Sequence, residues 1–246
     1  MKKNKFISVL IDNLKTLIYA LIIAVLLRSL FFQPFYIPSS SMEPTLLVGD
    51  RLFVSKYAYG YSKHSFPFSP PIYNKRVFSK EPNRGDLVVF KTPSDNRTDY
   101  IKRLIGKPGD TLQFINGDIY LNKKKIIKNK VDESMSIRCG KINFPVKIYE
   151  ETLPNGVKYK AVYNSAGTLQ NTDVYTVPDN NYFLLGDNRD CSKDSRFLSE
   201  VGYVNKLNLV GKAELIFFSN DTLKNSVLKF WNWRDSFRFK RTFKKL

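Results

Sequence analysis

The hydrophobic pattern changes period once, about forty residues in. Lys2, Lys3, Lys5 and Lys15 punctuate the start, and the run Leu17-Ile-Tyr-Ala-Leu-Ile-Ile-Ala-Val-Leu-Leu27 follows without a charge. Arg28 interrupts it, and Ser29-Leu-Phe-Phe32 extends it. The uncharged part alone is short of the roughly 20 residues that cross a bilayer core. It reaches that length if Arg28 snorkels to the far interface, where Phe31, Phe32, Phe35 and Tyr36 form an aromatic belt. The pattern predicts a transmembrane signal-anchor helix over 16–34, with 1–15 held on the cytoplasmic side by its lysines and the rest of the chain outside. A cleaved signal peptide needs a small-x-small site. Gln33-Pro-Phe-Tyr-Ile-Pro38 offers none, so the span is expected to stay.

Beyond the span, short apolar segments alternate with turn signals, the pattern of an all-β protein. Strands are predicted at Asp50–Ser55, Leu87–Lys91, Asp99–Ile105, Asn181–Leu185 and Leu209–Phe218. Between them, 58–83 is rich in proline and aromatics and reads as an extended loop or ribbon. Residues 111–181 read as a separate unit, with a hairpin at Asn116-Gly117 and a turn at Asn155-Gly156. Lys123–Lys130 reads as a solvated edge. The expected division is a β core made of 35–110 and 182–222, an inserted smaller β domain at 111–181, and a basic tail at 223–246. Trp231, Trp233, Phe237 and Phe243 lie among the cations of that tail, which suits a membrane surface.

Composition adds constraints. The formal net charge is +18, which suits an anionic partner. With a membrane span present, lipid is the expected partner and nucleic acid is not. Two cysteines, Cys139 and Cys191, and one histidine, His64, are too few for a usual zinc site or a disulfide framework. No metal or other cofactor is expected, and the expected state is a monomer.

The candidate chemistry begins at Pro38-Ser-Ser-Ser-Met-Glu-Pro-Thr45, close after the span. A serine nucleophile needs a base. His64 lies in the proline-rich stretch, a poor place for a rigidly held base. Lysine is the alternative partner for serine, provided that burial keeps it neutral. On the predicted strand, Tyr100, Lys102 and Leu104 share one face and Ile101, Arg103 and Ile105 the other. With one face buried, either Lys102 or Arg103 points inward, and lysine is the one that can shed its proton. With 40 basic residues, this pattern alone does not single out Lys102.

Four segments in order resemble the motifs of the bacterial type I signal peptidases, or leader peptidases. They are Pro38–Thr45, Arg84-Gly-Asp-Leu-Val-Val-Phe90, Tyr100-Ile-Lys-Arg103 and Gly186-Asp-Asn-Arg-Asp-Cys-Ser-Lys-Asp-Ser-Arg196. The resemblance implies a membrane-bound serine endopeptidase that removes signal peptides after small residues, as in Ala-x-Ala. It implies an antiparallel β core with an inserted β domain, outside the inner membrane of a bacterium. Ser41 is then the nucleophile and Lys102 the general base. Ser39 and the Ser41 N–H form the oxyanion hole, Ser192 orients the lysine, and Asp194 and Arg196 pair beside the site. Gly186 permits close backbone approach. Phe35, Ile37, Met42, Leu46, Val89, Tyr100 and Ile101 wall the substrate pocket.

Two positions depart from the family pattern. Ser40 stands where many members have glycine, which requires a backbone free of positive φ there. Cys191 precedes Ser192 where many members have a polar residue. It stays free or bridges Cys139 in an oxidising compartment; the place of Cys139 in the inserted unit favours the free thiol. A specialised pilus or conjugation peptidase, and a non-catalytic anchored basic protein, are the competing readings.

Overall fold

The computed structural model describes residues 2–71, 74–140, 142–164, 170–221 and 236–246. Helix α1 (Lys2–Leu30) stands clear of the remainder. Its apolar stretch Ile7–Leu30 is 24 residues long and is exposed up to Arg28, with Ser29 buried where the helix meets the core. At about 1.5 Å per residue that stretch is long enough to cross a bilayer core and fits a membrane anchor. The helix ends before the aromatic residues read as the outer end of the span, because Phe32–Tyr36 pairs as a strand, β1. Two bonds tie the helix end to the core. Lys56 N–H donates to the Phe31 carbonyl, and the Tyr61 hydroxyl donates to that of Leu30.

The remainder is antiparallel β, as the alternation predicts. The further strands are β2 (Asp50–Ser55), β3 (Leu87–Lys91), β4 (Asp99–Gly106), β5 (Thr111–Ile115), β6 (Asp118–Leu121), β7 (Lys124–Lys125), β8 (Ile127–Cys139), β9 (Ile142–Thr152), β10 (Lys158–Tyr163), β11 (Tyr175–Thr176), β12 (Asn181–Leu185), β13 (Val204–Asn205), β14 (Leu209–Ser219) and β15 (Lys244–Lys245). The largest sheet runs β1-β2-β14-β3-β4-β12-β13, with β15 also on β14. Residues 111–181 contribute a three-stranded sheet, β10-β9-β8, and a four-stranded one, β11-β5-β6-β7. Asn116 and Gly117 both have positive φ and close the β5–β6 hairpin, as an Asn-Gly pair does. One apolar cluster joins Ile105, Phe183 and Leu185 of the large sheet to Leu112, Phe114, Ile119 and Ala161 of the inserted strands.

The described part of the tail docks on the protein. Arg241 pairs with the buried Asp50 at 2.6 Å, Arg238 donates to the Val48 carbonyl, and Phe237 packs on Phe218. Phe239 and Phe243 remain exposed. Trp231 and Trp233 lie outside the described residues. In 58–83 a turn at Lys63–Ser65 and a bridge between Tyr61 and Val77 organise the described loop residues.

Candidate active site

β4 is central because its alternation serves two buried faces rather than one. Val88 and Leu87 of β3 lie beside it, and β12 flanks its other edge. Lys102 is 3% exposed and Arg103 6%. The expectation that only one of the two charges points inward is therefore corrected: β4 is covered by the apolar pocket on one side and by the inserted sheet on the other. The two cations answer burial differently. Arg103 forms a bidentate pair with Asp187, at 2.8 and 2.6 Å, and lies over the Tyr159 ring. Burial works against its charge, and the Asp187 carboxylate outweighs burial, so its pKa rises. Lys102 has no carboxylate within ion-pair distance among the described residues. Burial is the largest influence on it; Asp194 and Asp187 oppose it only from a distance, and its pKa falls to about 8.

Ser41 lies in a short 3₁₀ turn, Ser40–Met42, and is 8% exposed. Its Oγ is 2.7 Å from Lys102 Nζ, which also bonds the Ile101 carbonyl at 3.1 Å. The turn is held against β4 by a polar knot: the Thr45 hydroxyl donates to Asp187 at 2.5 Å, and Arg103 reaches the Thr45 hydroxyl at 3.3 Å. Asn188 adds two bonds, from its side chain to the Ser40 carbonyl and from its N–H to that of Ser41. Ser40 sits in the turn without positive φ, so the side chain costs no backbone strain. Ser39 is extended, exposed, and has its Oγ 3.4 Å from that of Ser41.

The loop after β12 covers the pair. A Cβ on Gly186 would lie 2.1 Å from Ser192 Oγ and 2.5 Å from the Ser41 carbonyl oxygen, so only glycine fits. Asp194 accepts from the Gly186 N–H at 3.0 Å and from Arg196 at 2.8 and 3.0 Å. Burial tends to raise its pKa; the Arg196 guanidinium outweighs that and holds the carboxyl below its usual range. Ser192 makes no hydrogen bond to Lys102. Among the described residues its Oγ is buried without a partner at hydrogen-bond geometry, although its nearness to Asp194 helps keep that carboxylate ionised.

Cys191 does not remain free. It forms a disulfide with Cys139, which lies at the end of β8. The β8–β9 hairpin returns to the site loop in three dimensions, which separation along the chain does not reveal. The same loop is stitched to β10 by the Val162 N–H to the Asp187 carbonyl and by the Arg189 N–H to that of Val162. Arg189, fully buried, forms a bidentate pair with Glu151 and also bonds Tyr159 and Tyr163.

A cavity of about 360 Å³ opens over Ser41 and Lys102. Phe35, Ile37, Met42, Val89, Tyr100 and Ile101 line it, as expected; Pro38, Leu52 and Cys191 join them. Leu46 does not. It is wholly buried in the core below, against the other apolar residues of β2 and β14. His64 lies in a different cavity, where its Nδ1 meets the Ser69 hydroxyl at 2.9 Å. The sequence reading assigned no role to Thr45, Asp187, Asn188 or the Arg189–Glu151 pair. Asp187, Asn188 and Arg189 stand inside the last of the four motif segments, which was the available signal; Glu151 carries none.

Residues 10–218 match the family described as signal peptidase, peptidase S26. The signal peptidase I of Rickettsia conorii is 42% identical over 93% of this chain and 90% of its own length. That of Rickettsia typhi is 40% identical over 100% of this chain and 96% of its own. A crystal structure of a signal peptidase I from Enterococcus faecalis aligns with 54% of this chain and 97% of its own, at 25% identity and a TM-score of 0.31, too low to bear on fold or site. Matched end to end by relatives of this kind, the chain belongs to the signal peptidase family, peptidase S26.

Proposed function

We propose that the protein is a membrane-bound serine endopeptidase that removes N-terminal signal peptides from exported preproteins, with Ser41 as nucleophile and Lys102 as general base. The observation that carries this is the 2.7 Å approach of Lys102 Nζ to Ser41 Oγ inside a buried apolar pocket. A lysine with its pKa near 8 supplies the neutral amine that a base requires.

In the proposed reaction, Lys102 takes the Ser41 proton as Oγ attacks the carbonyl before the scissile bond. The oxyanion is met by the Ser41 N–H and the Ser39 hydroxyl. Ser39 sits at the pocket edge, free to turn toward it. Collapse releases the mature N-terminus, which takes its proton from Lys102, and leaves an acyl ester on Ser41. Lys102 then activates the water that hydrolyses the ester. Phe35, Ile37, Met42, Val89, Tyr100 and Ile101 leave room for small side chains, which suits substrates of the Ala-x-Ala kind. Asp194, Arg196 and Gly186 hold the covering loop, and Ser192, packed against Gly186, is the group proposed to orient the amine. Helix α1 crosses the bacterial inner membrane once with its N-terminus cytoplasmic. It places Ser41 just outside the bilayer, where signal peptides emerge.

The test is cleavage of a preprotein after Ala-x-Ala by purified full-length protein. Ser41→Ala and Lys102→Ala are each expected to abolish it, a loss of at least about 10⁴-fold. Undiminished cleavage by either variant would remove the dyad.

A further inference from the structure

The protein has a second and larger cavity, of about 730 Å³, which the reaction does not use. It lies between the outer end of α1, the first residue after β2, and the loop around Lys63–Ser65. Its lining is cationic. Arg28 from the last turn of α1, Lys56, Lys63, Lys91 and Arg97 face it, against Asp95 and Asp99. Both carboxylates are already engaged. Asp99 pairs with Lys91 at 2.9 Å, and Asp95 accepts from Thr92, Thr98 and two backbone N–H groups of its own turn. Arg28, Lys56 and Lys63 have no carboxylate within ion-pair distance among the described residues.

Lys56 is the unusual member. It is 1% exposed, and among the described residues its Nζ bonds only the His64 carbonyl, at 3.3 Å. An ammonium carries three donors, so most of its capacity is unused. A buried cation with one of its three donors engaged is costly unless an anion completes it. Burial is the main cause of its lowered pKa, about 8, with Lys91, Arg28 and Arg76 adding repulsion that Asp99 only partly offsets.

Position narrows the anion. Arg28 belongs to the apolar helix, so the cavity mouth lies at the depth where that helix leaves the hydrocarbon. Resting on α1 as a membrane span, this places the cavity level with lipid headgroups. The loop that roofs it carries Phe68 fully exposed, with Phe31, Phe32 and Tyr57 exposed nearby in sequence at the helix exit. Exposed aromatics beside a span belong to the interface region of a bilayer. We propose that this cavity binds the phosphate of an anionic phospholipid of the outer leaflet, with Lys56 as the buried contact, Arg28 and Lys63 at the mouth, and Phe68 among the upper acyl chains. The site sets the pose of the catalytic domain on the membrane in addition to the tether.

The test uses the full chain in neutral detergent, titrated with phosphatidylglycerol or phosphatidylcholine, with bound lipid read by native mass spectrometry. The wild type should prefer phosphatidylglycerol. Lys56→Met, which keeps the buried aliphatic length, should weaken that lipid about fivefold, and Arg28→Gln with Lys63→Gln about 25-fold. Lys123→Gln with Lys124→Gln, exposed cations far along the chain, should leave the preference intact. Preprotein cleavage in detergent reports folding of every variant; if Lys56→Met fails that control, the Arg28 and Lys63 pair decides. An unchanged preference in both sets overturns the site. So does equal binding of glycerol 1-phosphate, which would make the ligand a soluble phosphate. A rise in KM for preproteins with acidic mature segments, at unchanged lipid preference, would give the cavity to substrate instead and overturn the proposal. Loss of the wild type from vesicles on an alkaline carbonate wash would count against the span and not against the cavity.

Discussion

The two faces of β4 carry neighbouring cations under opposite rules. On one face, Lys102 is buried against apolar walls and a serine hydroxyl. On the other, Arg103 pairs with Asp187, and in the inserted strands and the covering loop Arg189 with Glu151 and Arg196 with Asp194 form two more buried pairs, each hydrogen-bonded. Burial opposes charge on both sides. Arg103 and Arg189 keep theirs because a carboxylate meets each fork bidentately. The lysine has no such partner and loses its proton more readily. A more readily neutralised amine and a set of fixed ion pairs thus follow from where carboxylates are placed and where they are withheld.

The sharpest way to break this contrast is to make the reactive face obey the other rule. Lys102→Arg cannot release a proton, and preprotein cleavage by the purified variant should fall at least about 10⁴-fold with the fold retained by circular dichroism. Next in size, Glu151→Gln leaves Arg189 charged and unpaired among Tyr159 and Tyr163. Breaking one half of a buried pair costs about 3–5 kcal/mol, so thermal unfolding should move down by roughly 10 °C. Unaltered stability would mean that the three pairs are not what stiffens the loop.

A smaller effect comes from pH. Only the neutral amine can act as base, so kcat/KM should fall tenfold per pH unit below about 8 and level off above it. A flat profile between pH 6 and 9 would contradict a lysine base. The stability effect has a definite sign. The folded pKa lies below the unfolded value of 10.5, so the unfolded chain binds more protons between the two. This group's contribution therefore favours folding increasingly as pH rises from about 8 to 10.5. The smallest expected effect is at Ser192. Its hydroxyl makes no hydrogen bond to Lys102 here, so Ser192→Ala should lower kcat several-fold rather than abolish cleavage. A loss as large as that of Lys102→Ala would show that the serine orients the amine throughout the reaction.

Much of this was legible in the residues. Short apolar segments between turn signals located β2, β3, β4, β12 and β14 to within about a residue, because both signals are local to each segment. The Asn116-Gly117 turn was legible for the same local reason. β1 was hidden, since Phe32–Tyr36 continues an apolar run and only pairing with β2 makes it a strand. At the site, motif resemblance brought forward Ser41 and Lys102. Arg103 was read as a competitor for one buried face, because a single strand cannot reveal that a second sheet covers its back. Leu46 was read as pocket wall, and a step of one turn puts it in the core. The Cys139–Cys191 bridge depends on the β8–β9 hairpin folding back over the site loop.

By itself, then, the sequence determined an apolar anchor followed by an alternating, cation-rich β chain, and motif resemblance ordered its chemical groups. Those properties are local, or are carried by residue identity. Tertiary structure alone decided which buried cation keeps a carboxylate and which goes without. Arg103 meets Asp187 across 84 residues of chain, and Lys102 meets the hydroxyl of Ser41 across 61. Such distances close through the packing of whole sheets, and no window of sequence contains them.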